Sequence, residues 1–171
     1  MTGESRPAPG DQARVSVSVP VAPPVAFRIF TEEIDVWWKR GPAYRSAGRN
    51  AGVIQIEKGV GGRLYESFDA PSGPRVVECG RVTVWDPPGR LGFQWHGPNF
   101  APAEKTSVDV SFEPTQSGTL VTVTHRGWTG IRPDHPARHG LEPAAFIRML
   151  GLWWGELMTS LLHHAAPPDP D

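Results

Sequence analysis

Alternation of apolar and polar residues marks the first predicted strand. Valine and serine alternate over residues 15–19 before Pro20, which is the pattern of a strand with one buried face. A proline pair at 23–24 then precedes an apolar stretch and predicts a helix, because proline suits a first helical turn. Thr31, followed by two glutamates, predicts the cap of a second short helix that ends near position 38.

The middle of the chain alternates short apolar runs with turns rich in glycine and proline. Short strands joined by tight turns are antiparallel. The predicted strands cover residues 53–57, 63–68, 75–85, 90–95, 105–112 and 119–126.

The longest apolar pattern runs from 143 to 164, which corresponds to a helix of about 33 Å. Apolar residues recur there at spacings of three and four and form two adjacent stripes. A helix with so wide an apolar face must lie on the sheet. The predicted fold class is therefore α+β, with two short helices after the first strand and one long C-terminal helix. The stripes are Phe146, Leu150, Trp153, Leu157 and Leu161, and Ile147, Trp154, Met158 and Leu162.

The length of 171 residues favours one domain, which we expect to cover 13–165. The ends are small, polar and rich in proline, so we expect disordered tails at 1–12 and 166–171. The N-terminal residues have no apolar core of a secretory signal, and no apolar run reaches the length of a membrane span. We therefore expect a cytoplasmic protein.

Charge and cysteine content limit which kinds of partner and which covalent or metal sites the chain can have. The net charge is -1, and the 17 basic and 18 acidic residues are mixed along the chain, so we expect no nucleic-acid partner. Cys79 is the one cysteine. It cannot form an intramolecular disulfide, and it cannot build a zinc site of cysteines.

Several segments, in order, resemble the helix-grip (START-like, SRPBCC) superfamily, and within it the family of activator of Hsp90 ATPase homologue 1-like domains. The resemblance spans about 13–164. The matching stretches are VSVSVP at 15–20, PVAF at 24–27, GGRLYE at 61–66, GRVTVWDPP at 80–88, FQW at 93–95, TLVTVTHRGW at 119–128 and GLW at 151–153.

This resemblance implies a curved antiparallel sheet of about seven strands wrapped around the C-terminal helix. Our first functional hypothesis for such a fold is binding of a hydrophobic small molecule between sheet and helix, without strong catalysis. The alternatives are a cyclase or dehydratase acting on a polyketide-like or aromatic ligand, and an interaction or stress-related module resembling an Hsp90 activator.

Aromatic residues supply most of the candidate ligand-binding positions. The chain has seven tryptophans, and aromatic side chains line many apolar pockets. They also serve as ordinary core residues. The candidates for the cavity lining are Trp37, Tyr65, Trp95, His125, Met149 and Trp153.

An enzyme would need an acid or base in the cavity. His125 shares the alternation of Val121 and Val123 and should face the same way. Together with Glu66 or Glu78 it forms the one plausible catalytic set, although a satisfied core histidine is the simpler interpretation. Whether Glu66, Glu78, Arg63 and Arg81 face inward or outward stays open. For each, a solvated outer position is the simpler expectation.

The sequence predicts no cofactor and no metal site. His135 and His139 have a possible metal spacing but no further ligand pattern, so we expect two exposed loop histidines. Glycines 59, 61 and 62 lack the strand-to-helix context of a phosphate loop and predict a hairpin turn. No motif for a catalytic nucleophile is present.

The wide apolar face of the last helix exceeds what one side of a sheet covers. Leu152 and Trp154 lie about 160° apart around the helix. Either the loop at 96–104 or the segment at 128–142 folds over the helix, or a homodimer covers it.

Overall fold

The computed structural model describes residues 10–97 and 100–166. The described chain has seven strands and three α-helices, with two short 3-10 turns between the last strand and the last helix. In chain order they are β1 (Ala13–Val19), α1 (Pro23–Glu32), α2 (Ile34–Trp37), β2 (Gly52–Ile56), β3 (Arg63–Ala70), β4 (Gly73–Asp86), β5 (Arg90–Trp95), β6 (Thr106–Thr115), β7 (Gly118–Arg126), the turns Trp128–Gly130 and Pro136–Arg138, and α3 (Pro143–Ala165).

The strands form one curled antiparallel sheet in the order β1-β7-β6-β5-β4-β3-β2. Strands β2 to β7 follow one another as a meander, and β1 joins the free side of β7, where Val15 pairs with Val123. The sheet and the long helix α3 together confirm the predicted α+β helix-grip architecture. Helix α3 lies along β1 and contacts α1 and α2.

The concave face of the sheet supplies most of the core. Alternate residues of each strand are buried, for example Val108 and Val110 on β6, and Val121 and Val123 on β7. This is the expected result of period-two alternation with one face covered. Leu157 of α3, which has no exposed surface, belongs to the same apolar cluster.

The junction of α1 and α2 differs from the predicted cap. Thr31 lies inside α1, and its hydroxyl donates a hydrogen bond of 2.8 Å to the carbonyl of Phe27. The prediction that Thr31 caps the second helix was wrong, because Thr31 is buried and its hydroxyl finds an acceptor one turn back in its own helix.

Two carboxylate contacts hold the connection between α2 and β2. The Arg45 side chain is 2% exposed and donates to Asp35 Oδ1 at 2.7 Å. Burial alone would raise the pKa of Asp35, but hydrogen bonds from Arg45 and a backbone N–H hold it below its usual value. Glu66 accepts hydrogen bonds from the backbone N–H groups of Ser46 and Ala47. These contacts anchor residues 45–47 of the connection to α2 on one side and to β3 on the other.

Most of the wide apolar face of α3 is covered by the chain itself. Trp154 and Met158 of the second stripe are each 1% exposed, whereas Leu152 is 73% exposed. Among the described helices, none combines the length and apolarity that crossing a membrane requires.

The predicted terminal tails fall mostly outside the described residues. Residues 1–9 and 167–171 are not described. Asp11, within the predicted N-terminal tail, accepts a hydrogen bond of 2.7 Å from the Thr129 hydroxyl.

Candidate functional site

An apolar cavity of about 590 Å³ lies between the first half of α3, the end of β5 and the segments that connect β5 to β6 and β7 to α3. This volume falls within the range of small-molecule sites. Its lining residues are Pro42, Ala43, Trp95, Gly97, Phe100, His125, Trp128, Pro136, Ala137, His139, Phe146, Met149, Leu150 and Trp153.

Helix α3 supplies one wall. Phe146, Met149, Leu150 and Trp153 line the cavity, and their spacings of three and four put them on one side of the helix. Farther along α3, Leu157 is fully buried in the core. The helix therefore borders the cavity with its first half and the solid core with its second half.

The segment after β7 forms the cover, and Arg138 organises it. This buried guanidinium donates to the carbonyl of Ile131 at 2.8 Å and to the carbonyl of Trp128, and it lies 5.3 Å from the Phe146 ring. An ion pair between Arg132 and Glu104 joins the cover to the loop before β6. Of the two covers that the sequence allowed for α3, folded loops and a homodimer, the folded loops are present over the first half of the helix.

His125 is the buried polar group at the base of the cavity. Its Nδ1 accepts a hydrogen bond of 3.1 Å from Trp154 Nε1, and its Nε2 lies 2.7 Å from the Thr106 hydroxyl. An indole nitrogen can only donate, so Nδ1 carries no proton and Nε2 donates to Thr106. The Thr106 hydroxyl then donates to the carbonyl of Trp95 at 3.2 Å.

Burial lowers the pKa of His125 from 6.5 to about 3. The imidazolium would lose its water shell, and the described contacts offer no carboxylate to compensate. Protonation would also break the bond from Trp154, because a protonated ring has no acceptor. His125 is therefore neutral over the physiological pH range, and both of its nitrogens are occupied.

Tryptophan rings that pack mainly edge to face lie at the side of the cavity next to α2. Trp153 donates from Nε1 to the carbonyl of Ala43 at 2.7 Å. Its ring lies 5.8 Å from Trp38, 6.2 Å from Trp95 and 5.1 Å from Trp154. These separations are typical of favourable edge-to-face aromatic pairs. We call Trp38, Trp95, Trp153 and Trp154 the indole cluster.

Four of the six candidate ligand-binding residues line the cavity, namely Trp95, His125, Met149 and Trp153. Trp37 does not. It is fully buried, its ring packs 4.8 Å from Phe30, and its Nε1 donates to backbone carbonyls of α1. Its neighbour Trp38 belongs to the indole cluster instead.

Tyr65 also lies away from the cavity. Its hydroxyl is bonded to Gln55 at the solvent side of β2 and β3, and the Arg63 guanidinium lies 4.6 Å from its ring. The buried residues of β3 are its neighbours Leu64 and Glu66. Tyr65 therefore faces outward, because successive side chains point to opposite faces of a strand.

The proposed catalytic set is not brought together. His125 on β7 and Glu66 on β3 are separated by four strand spacings, or about 19 Å along the sheet. Glu66 faces inward but binds the backbone of the 46–47 turn. Glu78 lies on the outer face, where it accepts from Arg81 at 2.6 Å and contacts His96 at 3.1 Å.

The two loop histidines differ from each other. His139 lines the cavity. The expectation that His135 is exposed was wrong, because its ring is buried 4.6 Å from Phe100 and its Nδ1 accepts from the N–H of Ala137. Within the described ranges, no group of three or more His, Cys, Asp or Glu side chains is arranged to hold a metal.

The sequence reasoning missed Trp128, which also lines the cavity. Inward residues of β7 occur at every second position up to His125, so position 127 would be next. Gly127 has a φ of 96° and lets the chain turn in the left-handed region. Trp128 then points into the core in place of residue 127. The glycine before it was the one indication in the sequence that the inward position shifts by one residue.

A second depression, of about 950 Å³, lies where the 40–52 connection meets β2, β3 and β4. Its walls include Arg49, Val53, Arg75 and Val76, all of which are exposed. An open surface of this kind gives a ligand little desolvation, so the aromatic cavity is the better candidate.

Comparison with known proteins agrees with the fold. The family model described as "Activator of Hsp90 ATPase homolog 1-like protein" matches residues 21–149. No curated protein matches the chain significantly.

Several solved structures resemble the chain. Protein NE0264 from Nitrosomonas europaea is 16% identical with a TM-score of 0.62, covering 93% of this chain and 96% of that one. The Aha1 dimer from Colwellia psychrerythraea is 16% identical with a TM-score of 0.60, covering 93% and 98%. DynU16, described as a putative protein in the dynemicin biosynthetic locus, is 19% identical with a TM-score of 0.59, covering 90% of this chain and 46% of that one.

Proposed function

The chain belongs to the family of activator of Hsp90 ATPase homolog 1-like proteins, and from the aromatic cavity in its helix-grip fold we propose that it binds a hydrophobic small molecule. The cavity carries this proposal, because it is lined mainly by aromatic and aliphatic side chains from α3 and its cover. Folds of this type commonly bind hydrophobic ligands.

The chemistry of the walls favours a flat, uncharged ligand. Among the described lining residues there is no aspartate, glutamate, lysine or arginine. A charged ligand would lose its water without gaining a counterion there. The rings of Trp95, Trp153 and Phe100 line the cavity and present faces and edges against which a planar aromatic molecule packs well.

Contacts of the candidate acid and base groups support binding without catalysis. Both nitrogens of His125 are engaged inside the protein, and the carboxylate of Glu66 accepts from the backbone of a turn. A general acid or base needs a free hydrogen-bonding position next to the substrate. We therefore favour a carrier or sensor over the cyclase alternative.

Filling the cavity tests the proposal. We expect N-phenyl-1-naphthylamine, a neutral apolar fluorophore, to bind with saturable gain in emission. Met149→Trp places a large ring in the cavity and should abolish this signal. Thr159→Trp, on the exposed side of the same helix, adds the same group outside and should leave the signal unchanged.

The outcome that contradicts the proposal is equally defined. If the wild type gives no saturable signal with this probe or with a panel of neutral aromatic compounds, the cavity is not a ligand site. Equal binding by Met149→Trp and wild type would place the probe elsewhere on the protein. Circular dichroism of both variants checks that the fold is intact.

We also propose a homodimer, supported by the dimeric structure from Colwellia psychrerythraea and by the exposed Leu152 on α3. A twofold dimer is the commonest assembly of soluble proteins. Light scattering at micromolar concentration should give about twice the monomer mass of 18.7 kDa. A monomer mass that does not change with concentration would refute the dimer.

A further inference from the structure

The indole N–H of Trp128 is a buried donor without a partner. The Trp128 side chain is 3% exposed, and its Nε1 makes no hydrogen bond in the part of the chain that the structure describes. An unsatisfied buried donor is costly, and buried indole N–H groups usually find an acceptor. Trp128 lines the cavity, so an acceptor supplied from the cavity would remove this cost.

None of the rings around Trp128 offers that donor a free lone pair, and the face of a ring accepts only weakly. Phe146 lies 4.7 Å, His125 5.1 Å and Phe100 6.0 Å from its ring, and all three line the same cavity. The phenylalanines have no acceptor atom. His125 has one unprotonated nitrogen, and Trp154 occupies it. Within the described ranges no group accepts from this donor, so an occupant of the cavity is the remaining source of an acceptor.

We propose that the natural ligand carries an uncharged oxygen acceptor, such as a ketone or quinone carbonyl, on a flat aromatic skeleton, and that Trp128 Nε1–H donates to it. This inference rests on the proposed function. The acceptor is neutral because the described lining residues include no basic side chain except histidine. A carboxylate would enter without a counterion, whereas a carbonyl loses far less on desolvation.

A matched pair of probes isolates the carbonyl. Fluorene and 9-fluorenone have nearly the same shape and differ by a CH₂ group in place of C=O. By calorimetry we expect wild type to bind fluorenone more tightly, by about tenfold, because fluorene leaves the indole donor unpaired. Trp128→Phe should remove this preference and leave the affinity for fluorene nearly unchanged. Trp85 packs against Phe27, away from the cavity, so the control variant Trp85→Phe should keep the preference for fluorenone.

The results separate this inference from the binding function. If neither probe binds wild type, the proposed function fails. If both bind with equal affinity, or if Trp128→Phe keeps the preference, the ligand-binding function stands and the Trp128 donor is overturned. Should Trp128→Phe fail to fold, indole ¹H–¹⁵N spectra of wild type decide: one resonance must move downfield with fluorenone and not with fluorene, and its failure to move refutes the inference.

Discussion

Acidification should destabilise the protein through His125 well before its carboxylates are protonated. The folded protein keeps this ring neutral because burial lowers its pKa from 6.5 to about 3. In the unfolded chain the ring binds a proton below pH 6.5. Between these values the unfolded state binds more protons than the folded state, so the free energy of unfolding falls as pH falls.

The expected size follows from the two pKa values. At pH 5 the unfolded histidine is almost fully protonated and the folded one is still neutral, which costs about 1.5 pKa units, or about 2 kcal/mol. At pH 7 the same difference is close to zero. Below pH 3 the folded ring also takes up a proton, and the His125 contribution to the pH dependence ends.

Urea unfolding at pH 7 and pH 5 measures this effect. Wild type should lose about 2 kcal/mol more than His125→Asn between the two pH values, because the variant has nothing to titrate at this position. The variant is less stable at both pH values, since it loses buried hydrogen bonds, so the comparison uses only the change with pH. His163→Asn, at an exposed position near the end of α3, should keep the wild-type change.

Nuclear magnetic resonance provides a direct check. The ring signals of His125 should not shift between pH 8 and pH 5 in the folded protein. A titration midpoint near 6.5, or the same loss of stability in His125→Asn as in wild type, would refute the conclusion that His125 is neutral with both ring nitrogens hydrogen-bonded.

Two further predictions concern elements around the site. Asp35→Asn should lower the free energy of unfolding at pH 7 by about 1–3 kcal/mol. Because the pKa of Asp35 is lowered in the fold, this contribution exists above about pH 4 and is lost as the pH falls through the folded pKa. Urea unfolding should therefore show wild type and variant converging at low pH, and a constant difference would contradict the Asp35–Arg45 contact. Gly127→Ala should destabilise the protein by more than about 1 kcal/mol because the backbone at this position has a positive φ. Gly155→Ala, in open space on α3, should instead stabilise the protein by up to about 1 kcal/mol. Thermal denaturation of both variants tests this, and equal effects would refute the role of the left-handed turn.

The fold could be predicted from the sequence because its elements carry strong local patterns. Strand β5 has the predicted bounds, and α3 extends one residue beyond them. Alternation in β7 also indicated that His125 shares the inward side of its apolar neighbours, as its burial shows. These features depend on period and on turn residues, both of which are local properties.

The site was harder to predict because it depends on which side chains of short or irregular segments face inward. Helix α2 has four residues, too few to show which of Trp37 and Trp38 packs against the tryptophans at the cavity wall. The register of β3 against β4 shifts between Leu64 and Tyr65, and this shift obscured which side Glu66 occupies. Such phases are set by tertiary packing, which overrides local preference.

The indole cluster has a spectroscopic consequence. In five pairs among these four chromophores the ring centres lie between 5.1 Å and 6.2 Å apart, so the four exchange excitation much faster than they emit. Light absorbed by any of them therefore reaches the whole group before it is released. A quencher that touches Trp153 or Trp95 at the cavity wall would darken all four, so the protein carries its own antenna for an occupied cavity.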